Sequence, residues 1–432
     1  MRLTILHGVS LAILLGLGGC GGDGPRDPVP APGPSETPTT MPPVEDDPQP
    51  TADLLSGNFS SPIEGLSFVS GSTEGITDAN GGFMYEGGST VTFSLGGIEF
   101  GEVTGQELVT LVDLVGAGIR DVRVQNINRL LLALDTDNDN SNGIQISEAV
   151  QAIANNFPQP DFTIETFSGE VSTILSDVAT ADNRTPVLPG FGESDEALSL
   201  SLACLASGVY SGEFTGDDAG TFLLLVQHER FEPGTFFGDG VGEAVTSGLV
   251  FSTVENLVLT ANPGEGVDFT PQRDVIAGGV SSGAEFTGSF NVTYTQVDGA
   301  WNNFLTSENG TFTGERRAGN PAARYRLSGL ANSNAMPNTP DGSALVALDI
   351  MDDNSVTGLA VTLRGNQTSL SGMLSNGIIS VTGGNFSFNL TFDSDGMDSS
   401  NDADLGPVSG AVGTFTNGSD SGRFVGTSCR PI

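Results

Sequence analysis

The sequence predicts a mainly β protein: a small β-sandwich with a helix-loop-helix insert, followed by two related all-β units, each a barrel or a sandwich, or by one larger barrel made of two such halves. Three observations carry this expectation. Strict alternation in Thr90-Val91-Thr92-Phe93-Ser94-Leu95 puts Val91, Phe93 and Leu95 on one face of a strand. Short strand-like runs with glycine at most turns fill the chain beyond residue 208, among them YSGEFTG, GTFLLLVQ, SALVALDI and NFSFNLTF. Within that stretch the run from Gly299-Ala300-Trp301 to Gly310-Thr311-Phe312-Thr313-Gly314 answers the run from Gly413-Thr414-Phe415 to Gly422-Arg423-Phe424-Val425-Gly426, at an offset of 112–114 residues. Tyr210-Ser211-Gly212 answers Leu327-Ser328-Gly329 in the same way.

Residues 1–19 read as a cleaved signal. Arg2 supplies the positive start and Val9 to Leu17 the apolar run, which is too short for a bilayer core that needs roughly 20 apolar residues. The run ends in Leu17-Gly18-Gly19-Cys20, which resembles the lipobox of bacterial lipoproteins. That resemblance implies a diacylglycerol on the Cys20 thiol, cleavage before it and acylation of the new amine. The membrane is then a partner through the anchor, since each buried methylene contributes about 0.8 kcal/mol. Gly21 and Gly22 follow the cysteine with no Asp beside it. By resemblance to enterobacterial sorting this favours the outer membrane, with the periplasmic or extracellular face left open. Residues 20–55 form a linker dominated by Pro, Gly, Thr and acids, a composition that stays extended and solvated.

Residues 56–190 form the next region. Glycine pairs at 81–82, 87–88 and 96–97 mark its turns. Its run Gly75-Ile76-Thr77-Asp78-Ala79-Asn80-Gly81-Gly82-Phe83-Met84-Tyr85 resembles the small β-sandwich modules of the carboxypeptidase-regulatory type. The resemblance implies a hairpin turned at Asp-x-x-Gly, aromatic residues packed inside, and a spacer or binding scaffold rather than a catalyst. Val124, Ile127, Leu130, Leu131 and Leu134 then recur at helical steps, a short second helix is expected from about Ser147 to Phe157, and 158–190 reads as an irregular connector. Glu196 to Leu205 fits a further helix. The two β units are placed at 191–320 and 321–432, and their repeated aromatic-x-Gly strands resemble those of bacterial surface lipoproteins.

Between the two helices lies the best candidate site. Asp135, Asp137 and Asp139 alternate as at the opening of an EF-hand or dockerin calcium loop, where a hard cation gathers six to eight oxygens. Asn140, Asn142 and backbone carbonyls add donors. The pattern departs at position six, where Asn140 replaces glycine, and at position twelve, which is Ile146. Glu148 supplies the bidentate acid only if the loop carries a two-residue insertion. The alternative is a solvated acidic turn. The acidic run from Asp393 to Asp398 reads equally as a polar hairpin loop.

Catalytic signatures are weak. Gly279-Val280-Ser281-Ser282-Gly283 matches a nucleophile-elbow pattern, but a strand follows it rather than a helix, and no histidine comes after His228. That residue is the only histidine left after signal cleavage, which excludes multi-histidine zinc chemistry. Apart from Cys20 the cysteines are Cys204 and Cys429, expected to form a disulfide in an oxidising compartment. The formal charge is −38, with 15 basic residues, all arginine, against 53 acids. Such a surface disfavours nucleic acid, which needs clustered cations; it reads either as colloidal solubility or as fit to a salty habitat that screens self-repulsion. The function expected is that of a non-catalytic lipid-anchored envelope or surface protein, a binding, adhesion or structural module with a calcium-stabilised N-terminal region and a surface glycan or protein as ligand. The alternatives are a carbohydrate-active or ester hydrolase using carboxylates, and an envelope assembly factor.

Overall fold

The computed structural model describes residues 53–138, 143–230, 236–246, 249–262, 266–272, 284–303, 306–317, 323–336, 342–393 and 410–430. The first structured part is a sandwich. One sheet holds β1 (Leu54–Ser60), β5 (Gly82–Glu86) and β8 (Leu108–Thr110); the other holds β3 (Ser67–Ser70), β4 (Thr73–Ile76), β6 (Thr90–Leu95) and β7 (Ile98–Thr104). Val91, Phe93 and Leu95 are all buried, as the alternation predicts. Rings from both sheets interlock: Phe93 meets Phe59 at 5.2 Å and Phe83 at 5.0 Å, both edge-to-face. Full burial of one such ring contributes about 1.5–3 kcal/mol.

The Asp78 turn differs from the expected hairpin. Asp78 Oδ1 accepts the N–H groups of Asn80 (2.9 Å) and Gly82 (2.8 Å), so it does shape the turn. Yet β4 pairs with β3 and β5 with β1, so the turn carries the chain from one sheet to the other. Gly81 has φ of +70° and packs against the Phe59 carbonyl, a position that leaves no room for a side chain.

Helices follow: α1 (Leu111–Val115), α2 (Val122–Leu134), α3 (Glu148–Ile153), α4 (Phe167–Glu170), α5 (Ser172–Asp182) and α6 (Phe191–Ala206). The five apolar residues of the α2 stripe are buried. The segment 158–190 is not an irregular connector, because it contains α4 and α5. Its apolar stripe is thin, Val171, Ile174 and Val178 in a Ser/Thr-rich background, and all three are fully buried. Side chains of α2 hold the segment: Asn126 donates to the carbonyls of Phe162 (3.0 Å) and Ile164 (2.8 Å), and Arg129 to that of Pro189 (2.7 Å). These polar anchors replace the hydrophobic periodicity that would have announced a helix.

Two closed eight-stranded barrels complete the chain. The first comprises β10 (Gly208–Gly216), β11 (Gly220–Arg230), β12 (Phe236–Thr246), β13 (Leu249–Asn262), β14 (Gly266–Gln272), β15 (Ala284–Phe290), β16 (Gln296–Asn303) and β17 (Asn309–Arg316). The second comprises β18 (Tyr325–Ser333), β19 (Ser343–Ile350), β20 (Ser355–Thr362), β21 (Gln367–Ser375), β22 (Ile378–Gly383), β23 (Phe386–Asp393), β24 (Gly410–Asn417) and β25 (Asp420–Cys429). Each is an antiparallel up-and-down barrel closed by its first and last strands, β10 on β17 and β18 on β25. The repeat falls on equivalent strands: β16–β17 answer β24–β25, and the closing registers match, Gly212 opposite Gly314 and Gly329 opposite Gly426.

The repeated glycines have a steric reason. A Cβ on Gly310 would lie 2.5 Å from Trp301 Nε1, and one on Gly422 would lie 2.6 Å from Phe415 Cε1. In both barrels an aromatic ring lies across the glycine directly opposite it in the pair. The barrels pack wall to wall, with Val209, Leu223 and Leu225 against Leu345, Ala347, Leu359 and Val361. Gln227 Nε2 donates to the Ser328 carbonyl (3.1 Å), and Ser328 Oγ to that of Val226 (2.9 Å). This explains why β19 reads SALVALDI with every residue buried: one face fills its own barrel and the other meets the neighbour.

Candidate functional site

The acidic loop is anchored at both ends. Asp135 is buried at the end of α2, and its Oδ1 accepts the Gln145 N–H at 2.9 Å. The Thr136 N–H and hydroxyl both donate to the Gln145 carbonyl, at 2.9 and 2.6 Å. Ile144–Gln145, forming β9, runs parallel to β2 (Ile63–Glu64) and ties the loop to the sandwich. Ser147 caps α3 by accepting the Val150 N–H at 3.1 Å, and Glu148 stands exposed in the first turn.

Sequence reasoning missed two residues that hold this loop. Arg184 Nη2 donates to the carbonyls of Ala133 (3.1 Å) and Leu134 (2.9 Å), capping the end of α2, where a cation complements the helix dipole. Asp182 pairs with Arg184 at 3.0 Å and also accepts from the Ser147 hydroxyl. One short segment therefore clamps both helices flanking the loop. Asp137 is exposed beside Asn138, whose φ is +57°. Asp139 and Asn142 lie outside the described residues, as do Cys20, Gly279–Gly283 and the acidic run after Asp393. Asp135 and Asp137 thus lie at the start of the same anchored loop. Among the described residues no group of three or more His, Cys, Asp or Glu is assembled.

A second centre lies at the end of α6. Cys204 and Cys429 form the expected disulfide, with Cα atoms 5.7 Å apart across 225 residues of chain. The last three carbonyls of the helix find side-chain donors. Arg326 Nη1 serves Cys204 (3.2 Å) and Leu205 (3.1 Å), and the Tyr210 hydroxyl serves Ala206 (2.8 Å). Arg316 reaches the Ser207 carbonyl just beyond the helix. Arg316 closes the first barrel and Arg326 opens the second, so both barrels grip one helix end. Burial, then Arg316, pulls the Arg326 guanidinium down to about 9, which still leaves it charged at neutral pH, and Asp349 opposite it on β19 works the other way at 3.7 Å. Burial raises both Tyr210 and Tyr294, so neither phenol is a base at ordinary pH.

Among the described residues, side chains of each barrel pack on one another in its interior. In the first, Phe290 meets Tyr210 and Phe269 at 5.0 Å each, Phe312 meets Phe222 and Phe286 at 5.3 Å each, and Phe214 meets Trp301 at 5.6 Å. In the second, Phe388 meets Phe415 at 5.7 Å and Phe424 at 6.0 Å. The backbone of His228 belongs to β11, opposite Gly238. Among the described residues no helix is long and apolar enough to cross a membrane.

No family model matches this chain, and no curated protein matches it. Among solved structures it is similar to an AttH candidate from Nitrosomonas europaea, at 13% identity and a TM-score of 0.17, covering 52% of this chain and 91% of that one. It is also similar to a protein of unknown function from the DUF3598 family of Nostoc punctiforme, at 10% identity and a TM-score of 0.18, covering 54% of this chain and 98% of that one. At these scores neither likeness bears on function.

Proposed function

We propose that this chain is a non-catalytic protein of the bacterial envelope, anchored to the outer membrane by lipid on Cys20, whose folded part is a binding, adhesion or structural module. The observation that supports this reading is the packing of the described side chains inside both barrels. Among the described residues, aromatic and aliphatic side chains pack into the interiors of both barrels, so walls and loops are the surfaces they would offer to a glycan or protein partner. Clamping one helix end with two arginines and a disulfide suits a rigid display scaffold.

Calcium belongs to the same proposal. Asp135 and Asp137, with Asp139, Asn142 and Glu148, would hold it, and the ion would offset repulsion between these carboxylates in a strongly acidic chain. The test is metabolic labelling with a palmitate analogue, followed by protease shaving of intact cells. Label is expected on the wild type and absent from Cys20→Ser; label retained on that variant sinks the anchor. Shaving decides which side the module faces. Removing calcium with a chelator is expected to lower the Tm, and an unchanged Tm together with an unaltered Asp137→Ala variant would end the calcium assignment.

A further inference from the structure

Where the sandwich, α2, α6 and the mouth of the second barrel meet, they line a partly open cavity of about 170 Å³. Phe59, Ile63, Leu132 and Leu198 supply apolar wall. Polar groups are few. Ser60 and Ser201 stand with hydroxyl oxygens 3.3 Å apart, and Asn128 is turned to Ser194, donating to its carbonyl at 3.2 Å. Ser428 on β25 also lines the cavity. It is wholly buried, and its hydroxyl oxygen has no hydrogen-bond partner among the described residues. Arg430 lies at the same wall, but its Nη2 donates to the Ala79 carbonyl at 3.3 Å, so it is committed to the sandwich turn.

This space is unlike a simple packing fault. A void in a core normally shrinks as its walls relax. Here the walls come from distant parts of the chain and are fixed by the Cys204–Cys429 disulfide, which itself lines the cavity, and by the Arg326 clamp beside it. An apolar cavity of about 150 Å³ in another protein is enough to take benzene. A buried hydroxyl without a partner is unfavourable, and a ligand able to pair with it is correspondingly favoured.

We propose that this cavity binds a small, uncharged, largely apolar molecule of about six to ten heavy atoms carrying one hydroxyl or carbonyl group, which pairs with Ser428 Oγ. The assignment deepens the binding reading above and is independent of the anchor and of calcium. Among the described residues no carboxylate lines the space and the one cation, Arg430, is engaged elsewhere, so a charged ligand would enter without compensation from them.

The test uses p-cresol and toluene as probes on the full folded chain, by saturation-transfer NMR and calorimetry. Saturable binding of both is expected, with p-cresol the tighter. Ser428→Ala should weaken p-cresol about tenfold and leave toluene nearly unchanged, the value of one buried hydrogen bond. Ala197→Leu, which fills the space, should abolish both. Should that variant fail to fold, the p-cresol to toluene ratio in Ser428→Ala still decides. Absence of saturable binding, or a ratio unmoved by Ser428→Ala, overturns the site and leaves the envelope reading standing. Conversion of a bound probe would keep the site and remove the non-catalytic reading.

Discussion

The two barrels share a closure and differ in what fills them. Both close with an aromatic ring laid over an opposing glycine, Trp301 over Gly310 and Phe415 over Gly422. Among the described residues, the first is largely aromatic inside, with Tyr210, Phe222, Phe269, Phe290, Phe312 and Trp301. The second is mostly aliphatic, with Leu327, Val346, Leu348, Ile350, Val356, Ile379 and Val381 behind one seam of phenylalanines. Closure and filling are therefore separable. The closing strands keep their glycine spacing because a side chain there would strike backbone, whereas the interior only has to reach native density with some set of apolar groups. The barrels also join the rest of the molecule differently. The first shares one continuous core with the helices and the sandwich, while the second has its own core and joins through a wall contact, an arginine and a disulfide.

The sharpest way to break this comparison is to remove the arginines one at a time. Arg326→Ala leaves the Asp349 carboxylate and two helix carbonyls buried without their cation, and should destabilise by about 3–5 kcal/mol. Arg316 is half-buried, serves one carbonyl and lies 5.8 Å from the Tyr210 ring centroid, so Arg316→Ala should cost only about 1–2 kcal/mol. Urea melts of the two variants check this. Equal losses would mean that the barrels grip the helix equivalently, against the difference in burial.

The disulfide comes next. Closing a 225-residue loop is worth at most about 5 kcal/mol in the chain-entropy account, and about 2–5 in practice. A Cys204→Ser, Cys429→Ser double variant should lose that much. Because the second barrel has a separate core, its strands should exchange amide hydrogens faster while those of the first keep their protection. Uniform loss of protection across both would show one cooperative unit where the packing indicates two cores.

These experiments touch parts of the molecule that were unequally legible. Alternation at Val91, Phe93 and Leu95, the α2 stripe and the glycine–aromatic repeat could all be read, because each imposes a local spacing that packing then uses. The cysteine pair was legible from compartment and count. Helix α5 was not, since Ile174 and Val178 are its only fully buried residues and its neighbouring segment is held by Asn126 and Arg129 from another helix. The cavity could not be read at all. Ser60, Asn128, Ser201 and Ser428 meet there from far apart in sequence, and no spacing announces a meeting that only the tertiary fold creates. Arg326 was hidden for a related reason: an arginine beside Tyr325 and Leu327 on a strand looks like an exposed residue until the neighbouring barrel and helix end cover it.

Substituting the two glycines is the most direct check on the shared closure. Gly310→Ala puts a methyl group against the Thr215 carbonyl and the Trp301 ring, and Gly422→Ala puts one against the Asn332 carbonyl and the Phe415 ring. Each site must shift backbone as well as a ring, so each variant should lose about 1–3 kcal/mol by overpacking. The prediction concerns their equality more than their size. If closure is independent of filling, the two losses should be similar despite one aromatic and one aliphatic interior, and should add within about 0.5 kcal/mol in the double variant, as expected of sites that share no partners. A larger loss at Gly310 alone would tie closure to the aromatic filling, since Trp301 also packs on Phe214 and donates its indole N–H to the Thr215 carbonyl at 3.0 Å, whereas Phe415 has no polar atom to lose.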